Sequence, residues 1–167
     1  FIPTSSQFYY GQLPGEKHIR YVPNVGHSLN GSYILDSILS FYMSILNETS
    51  RPKYNFNFLE NGQIELISEY QPTTVKVWWA ENSLARDFRI DVIGKSWKSE
   101  LISINSEGKY VSSMKSPNKG WRAYFLEAEY STSGSIPFIV TSEVKVSPDI
   151  LPFDYIDPIN PKGFLSK

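Results

Sequence analysis

Both histidines of the chain fall in one stretch of thirteen residues, KHIRYVPNVGHSL, from Lys17 to Leu29. Imidazole is the side chain whose ordinary titration lies nearest neutral pH, so these are the first candidates for proton transfer. His18 sits in an alternating run, with Ile19 and Tyr21 on one side and His18, Arg20 and Val22 on the other. That run predicts a short strand closed by Pro23. His27 follows Gly26 in a loop and precedes a helix-like run. A strand, a glycine turn bearing histidine and then a helix is the order that closes an α/β-hydrolase fold. There a loop imidazole serves as general base for a distant serine. A lone loop histidine is also an ordinary surface residue, and His18 on a strand reads as structural. No G-x-S-x-G elbow occurs, and the serines of STSGS, 131–135, sit in a turn setting. A serine and an acid serving His27 would therefore have to come from outside these residues.

The second charged constellation is RDFR. Asp87 lies between Arg86 and Arg89 and can form a bidentate pair with either guanidinium. It reads as a clamp for a ligand carboxylate or as a structural ion pair; the structural reading is favoured. Trp78 and Trp79 read as core or interface anchors. Two N-x-S/T acceptor triplets, at Asn30 and Asn47, mark candidate glycosylation sites. The acids Asp154 and Asp157 lack metal-site spacing, so no metal and no other cofactor is expected. The chain has no cysteine, which removes thiolate and disulfide chemistry.

The elements that must position these residues change character near residue 50. Ahead of it, 4–13 predicts a short aromatic helix, and about 32–47 predicts the best helix of the chain. Ile34, Ile38, Phe41 and Ile45 recur at helical spacing, and Leu35, Leu39, Tyr42 and Leu46 repeat the pattern one step around. The stripe is wide, so the helix should pack into a large core. The first fifty residues cannot build that core alone, so the helix needs a sheet that this chain does not supply. Beyond Tyr54 the period becomes two. YNFNFLENGQIELIS predicts a hairpin about ENG, and TVKVWWA, ARDFRIDVIG, WKSELISI, KYVSSM, GWRAYFLEAEY and PFIVTSEVKV predict further strands. Roughly seven or eight short strands over 54–146 suggest an antiparallel β-sandwich. The expected division is 1–50 as the incomplete C-terminal end of an α/β-hydrolase-like domain, 51–148 as the sandwich and 149–167 as an extended tail.

The bulk numbers close off other classes. Hydrophobic residues make up 41% and aromatics 15%, enough for a real core and against disorder. The net charge is −1, with no basic run, so no nucleic-acid surface is expected. The apolar runs are too short to span a membrane. The opening FIPTSS is neither a leader nor a clean domain start, so the expectation is a piece of a longer chain.

FIPTSSQFYYGQLPGEKHIRYVPNVGHSL and VKVWWAENSLARDFRIDVIGKSW resemble the PhoPQ-activated pathogenicity-related protein family. The carriers are the FIP opening, with Thr4 where the family usually has Asp, the segment Gly15 to Leu29, and the run Trp79 to Arg89 ending in RDFR. Residues 105–167 add little to the likeness. The resemblance implies a secreted α/β-hydrolase-like protein with a β-rich C-terminal domain, in which His27 matches the hydrolase histidine. It places the family's acid just before Phe1 and its serine far upstream. The upstream hydrolase chain would then be one partner of this segment. A eukaryotic member acts as an extracellular signal that slows proliferation and repels cells, which implies a cell-surface receptor as another. A working serine hydrolase (peptidase or esterase) and a free-standing adhesion or glycan-binding sandwich are the alternatives.

Overall fold

The computed structural model describes residues 2–112 and 114–153. The tail acids Asp154 and Asp157 lie outside that range. Two 3₁₀ turns, Ser5–Phe8 and Tyr10–Gln12, open the chain, and an extended segment leads to helix α1, Ile34–Leu46. Then come strands β1, Tyr54–Phe58, β2, Ile64–Ser68, and β3, Thr74–Asn82. A one-turn helix, α2, Ile90–Ile93, precedes β4, Lys98–Leu101, and β5, Tyr110–Val111. The chain closes on β6, Trp121–Tyr130, β7, Phe138–Thr141, and β8, Lys145–Ser147.

The strands form two antiparallel sheets. One has the order β1-β2-β5; in the other, β4-β3-β6-β7, β8 also pairs with β6. The β1-β2 hairpin turns where the ENG signal placed it. Gly62 takes a φ of +86°, its N–H donates to the Leu59 carbonyl at 2.9 Å, and Phe58 pairs with Ile64. Gly120 enters β6 at a φ of +72°, where an added Cβ would lie 2.2 Å from the Asn82 carbonyl oxygen. Only glycine fits there.

The first core cluster lies between the sheets and joins Ile64, Leu66, Val75, Val77, Tyr124 and Leu126. The second lies on the opposite face of the larger sheet and joins Ala80, Phe88, Ala123, Phe125, Val144 and Val146. β6 is therefore covered on both faces, and residues 123–128 are all buried. Its in–out alternation predicts one dry face, but a central strand with two covers is apolar on both.

Three expectations are corrected. KHIRYVP is extended but joins no ladder. Thr141 N–H donates to the Ile19 carbonyl at 2.9 Å, yet Tyr21 N–H is taken by the Thr141 hydroxyl at 3.0 Å. The chain beyond Thr141 has turned to β6, where Ser142 N–H meets the Leu126 carbonyl at 2.8 Å. That same turn splits PFIVTSEVKV into β7 and β8. ARDFRIDVIG is a loop running into α2, not a strand. The Asn82 side chain accepts from Leu84 N–H and Ala85 N–H and donates to the Asp87 carbonyl at 2.8 Å, folding the chain back. Phe88 is still buried, so the alternation marked the right anchor and the wrong backbone.

Helix α1 forms where the periodicity placed it and, as expected, finds no covering sheet within this chain. It meets the fold through Ser40, Ser44 and Phe41, the last packed against the first core cluster near β7. Leu35 (69% exposed), Ile38 (56%) and Leu46 (58%) face outward, with Leu39, Tyr42, Met43 and Ile45. Small hydroxyl residues line the packed side and large apolar ones the open side, the reverse of an ordinary surface helix.

Candidate functional site

The GEKHIRYVPNVGHSL segment is bolted to the β-sheet by one polar anchor after another. Arg20 Nη1 donates to Glu127 Oε2 on β6 and to the Tyr21 carbonyl at 3.1 Å. Tyr21 OH donates to Ser6 Oγ at 2.9 Å. Asn24 sits in the left-handed region at φ +61°, which asparagine tolerates better than most residues. Its side chain makes a reciprocal pair with Trp97: Nδ2 donates to the Trp97 carbonyl at 2.8 Å, and Trp97 N–H donates to Oδ1 at 3.0 Å. These anchors aim the loop that carries His27, which is exposed just after Gly26.

Three separate sequence motifs meet at this loop. Ile2, Tyr21, His27, Phe88, Arg89 and Trp97 line one cavity of about 460 Å³. Within RDFR, Asp87 takes Arg89: Nη2 to Oδ2 is 2.6 Å and Nε to Oδ1 is 2.9 Å. The Arg89 hydrogen bonds hold the Asp87 carboxyl below its ordinary value, against partial burial that pushes it up. Arg86 turns away to Asp149 at 3.3 Å. Asp87 therefore pairs with one arginine, and the two arginines do not form a common clamp. Asn30 and Asn47 are both exposed and flank the two ends of α1.

His18 belongs to a second cleft of about 930 Å³, which Glu16, Arg51 and Tyr54 also line. Burial pushes the Tyr54 hydroxyl up, so it stays protonated and donates to His18 Nδ1 at 2.6 Å. That leaves His18 Nε2–H to donate to Glu16 Oε1 at 2.9 Å. Phe41 and Phe138 stand edge-on to the ring at 5.4 and 5.1 Å. Arg51 Nε donates to Glu16 at 2.6 Å and holds its carboxyl down at about 2, with burial opposing and His18 assisting. The cluster ties the segment ahead of α1 to the segment after it.

A folded-state value below the ordinary 4.5 adds stability that is present above pH 4.5 and lost as pH falls through about 2. The stability gap between wild type and Arg51→Gln should be constant above pH 4.5 and shrink between pH 4.5 and 2. Urea melts across that range check it; a gap that does not move would show the clasp to be unformed in solution.

Asn24→Ala removes two hydrogen bonds and leaves the partly buried Trp97 N–H and carbonyl unmet. It should cost about 2–3 kcal/mol, read as a lower denaturation midpoint at unchanged slope. Asn24→Asp, which keeps the acceptor and loses the donor, should fall between the two.

Sequence reasoning singled out His27, Arg86, Asp87 and Arg89 and passed over Arg20, Asn24, Glu16 and Arg51. The signal for Arg20 and Asn24 was their place in the R-Y-x-P-N run; nothing local pointed to their distant partners.

The family model for PhoPQ-activated pathogenicity-related proteins matches residues 1–89, the span that supplies the loop, RDFR and most of the cavity wall. The chain belongs to this family. Autocrine proliferation repressor protein A of Dictyostelium discoideum is 36% identical over 190 aligned residues, covering 98% of this chain and 38% of the relative. The chain thus spans well under half of that relative's length. No solved structure matches. Among the described residues no helix is long and apolar enough to cross a membrane, and no cluster of potential metal ligands occurs.

Proposed function

We propose that this chain is the C-terminal portion of a secreted, α/β-hydrolase-like protein that acts as an extracellular signal, repressing proliferation and repelling cells. The observation that carries the reading is 36% identity across nearly the whole chain to a protein named as an autocrine proliferation repressor. Residues 1–50 then end the hydrolase-like domain, 51–148 form the β module and 149–167 the tail. The open face of α1 supports this division, because it offers a large apolar surface to the remainder of that domain. Exposed Asn30 and Asn47 support passage through a secretory route, with Asn30 and Asn47 as glycan sites. A cell-surface receptor is the partner of such a signal.

The test is the longer protein purified from culture medium and added to growing cells. Slower doubling with wild type and with His27→Ala alike supports a signal that needs no turnover. No effect of wild type on doubling overturns the signalling reading. The shift on deglycosylation should be smaller in Asn30→Gln/Asn47→Gln than in wild type.

The second reading, a serine hydrolase with His27 as general base, rests on one observation. His27 is presented by an anchored loop beside a cavity mainly of apolar lining, as a base beside a substrate pocket would be. A fluorophosphonate probe that labels an upstream serine in wild type and not in His27→Ala supports it. Absence of labelling in the folded protein removes it. Asp87–Arg89 takes the structural role in either reading, since Asp87 occupies two nitrogens of the Arg89 guanidinium.

A further inference from the structure

The cavity beside His27 has a charge pattern that neither reading above requires. Its body is apolar and aromatic, with Tyr21, Phe88, Trp97 and Phe125 in the wall. Its charged lining is cationic: among the described residues that line it, Arg20 and Arg89 are charged and none is acidic. Arg20 is committed to Glu127. Arg89 is only half committed. Asp87 takes Nε and Nη2, while the nearest carboxylate to Nη1 is Asp91 at 3.8 Å, on a side chain 69% exposed. A solvated carboxylate at that distance holds a cation weakly. A ligand carboxylate at hydrogen-bond distance from Nη1 would make the charge-assisted contact that Asp91, at 3.8 Å, does not.

We propose that this cavity binds a small apolar monocarboxylate, with its body against Phe88 and Trp97 and its carboxylate on Arg89 Nη1. A volume of about 460 Å³ suits a body the size of a phenylalkyl group or a medium alkyl chain. Two sources share this chemistry, aromatic acids and aliphatic acids, and separate probes tell them apart. The inference does not depend on catalysis or on signalling.

The test uses this chain with three probes: 3-phenylpropionate, decanoate and 3-phenylpropionamide. Trp97 in the wall reports occupancy through tryptophan emission, and calorimetry gives the affinity. At least one acid should bind saturably, in the roughly micromolar to millimolar range expected for so few atoms. The acid that binds more tightly names the source. 3-Phenylpropionamide should bind about 10- to 100-fold more weakly than its acid, and Arg89→Gln should weaken the acids by the same factor. The amide tests the carboxylate contact in the unaltered protein, so a loss of fold in Arg89→Gln leaves the test standing. Absence of saturation by either acid, or an amide that binds as well as its acid, overturns the proposal.

Discussion

Replacing Arg20 by alanine should destabilise the fold by about 3–5 kcal/mol, because it strands a buried carboxylate. Glu127 is 6% exposed, in the middle of β6. Arg20 Nη1 is its direct partner, and Lys76 stands off at 3.8 Å, too far for a hydrogen bond. Without the guanidinium, Glu127 must ionise with a distant cation or take up a proton, and both cost stability. For a chain of this size the melting temperature should fall by roughly 6–20 °C. Arg20→Leu with Glu127→Leu removes both charges and should recover most of the loss, since a matched apolar pair carries no desolvation penalty. A single Arg20→Ala that melts with wild type would show that the segment ahead of α1 is not held to the sheet as described.

The second large effect concerns α1. Leu35, Leu39, Tyr42 and Leu46 follow one another at steps of four, three and four, so they form one row, and all four are exposed. An apolar row of this length on a surface marks an interface. In this chain alone, the triple change Leu35→Glu, Leu39→Glu, Leu46→Glu should leave stability within about 1 kcal/mol, as surface changes do, and should reduce aggregation. In the longer protein proposed above, where the rest of the hydrolase-like domain covers α1, the same change would put three carboxylates into a buried contact. It should then cost several kcal/mol and lower the secreted yield sharply. Light scattering of the short chain and secreted yield of the long one measure the two arms. Equal yields of wild-type and triple-variant long chain would contradict a covered α1 face.

The parts of the fold legible in sequence were those with a strong local period. The ENG hairpin, β3 and α1 announced themselves because turn chemistry and apolar spacing agreed over five residues or more. The loop at Arg86 to Arg89 was misread because its alternation imitates a strand. The Asn82 side chain, four residues upstream of Arg86, bends it, and such local bonds leave no periodic trace. The double cover of β6 was illegible because it depends on what the N-terminal segment does. The anchors of the candidate site were hidden for a similar reason. Arg20 reaches Glu127 across 107 residues of sequence, and Asn24 reaches Trp97 across 73. His27 was visible because only two histidines exist, and RDFR because its charges are adjacent; that both lie on one cavity required the fold.

The most direct test of the central claim, that this chain is one part of a longer molecule which covers α1, uses the absence of cysteine from these 167 residues. Leu39→Cys places a thiol in the middle of the α1 row, and Leu84→Cys places one at an 85% exposed loop position. Maleimide labelling of each is timed in the 167-residue chain and in the longer protein, with any other cysteines of the latter removed. The account predicts that both thiols label fast in the short chain, while in the long one Leu84→Cys stays fast and Leu39→Cys slows many-fold. Equal labelling of the two thiols in the longer protein would contradict it.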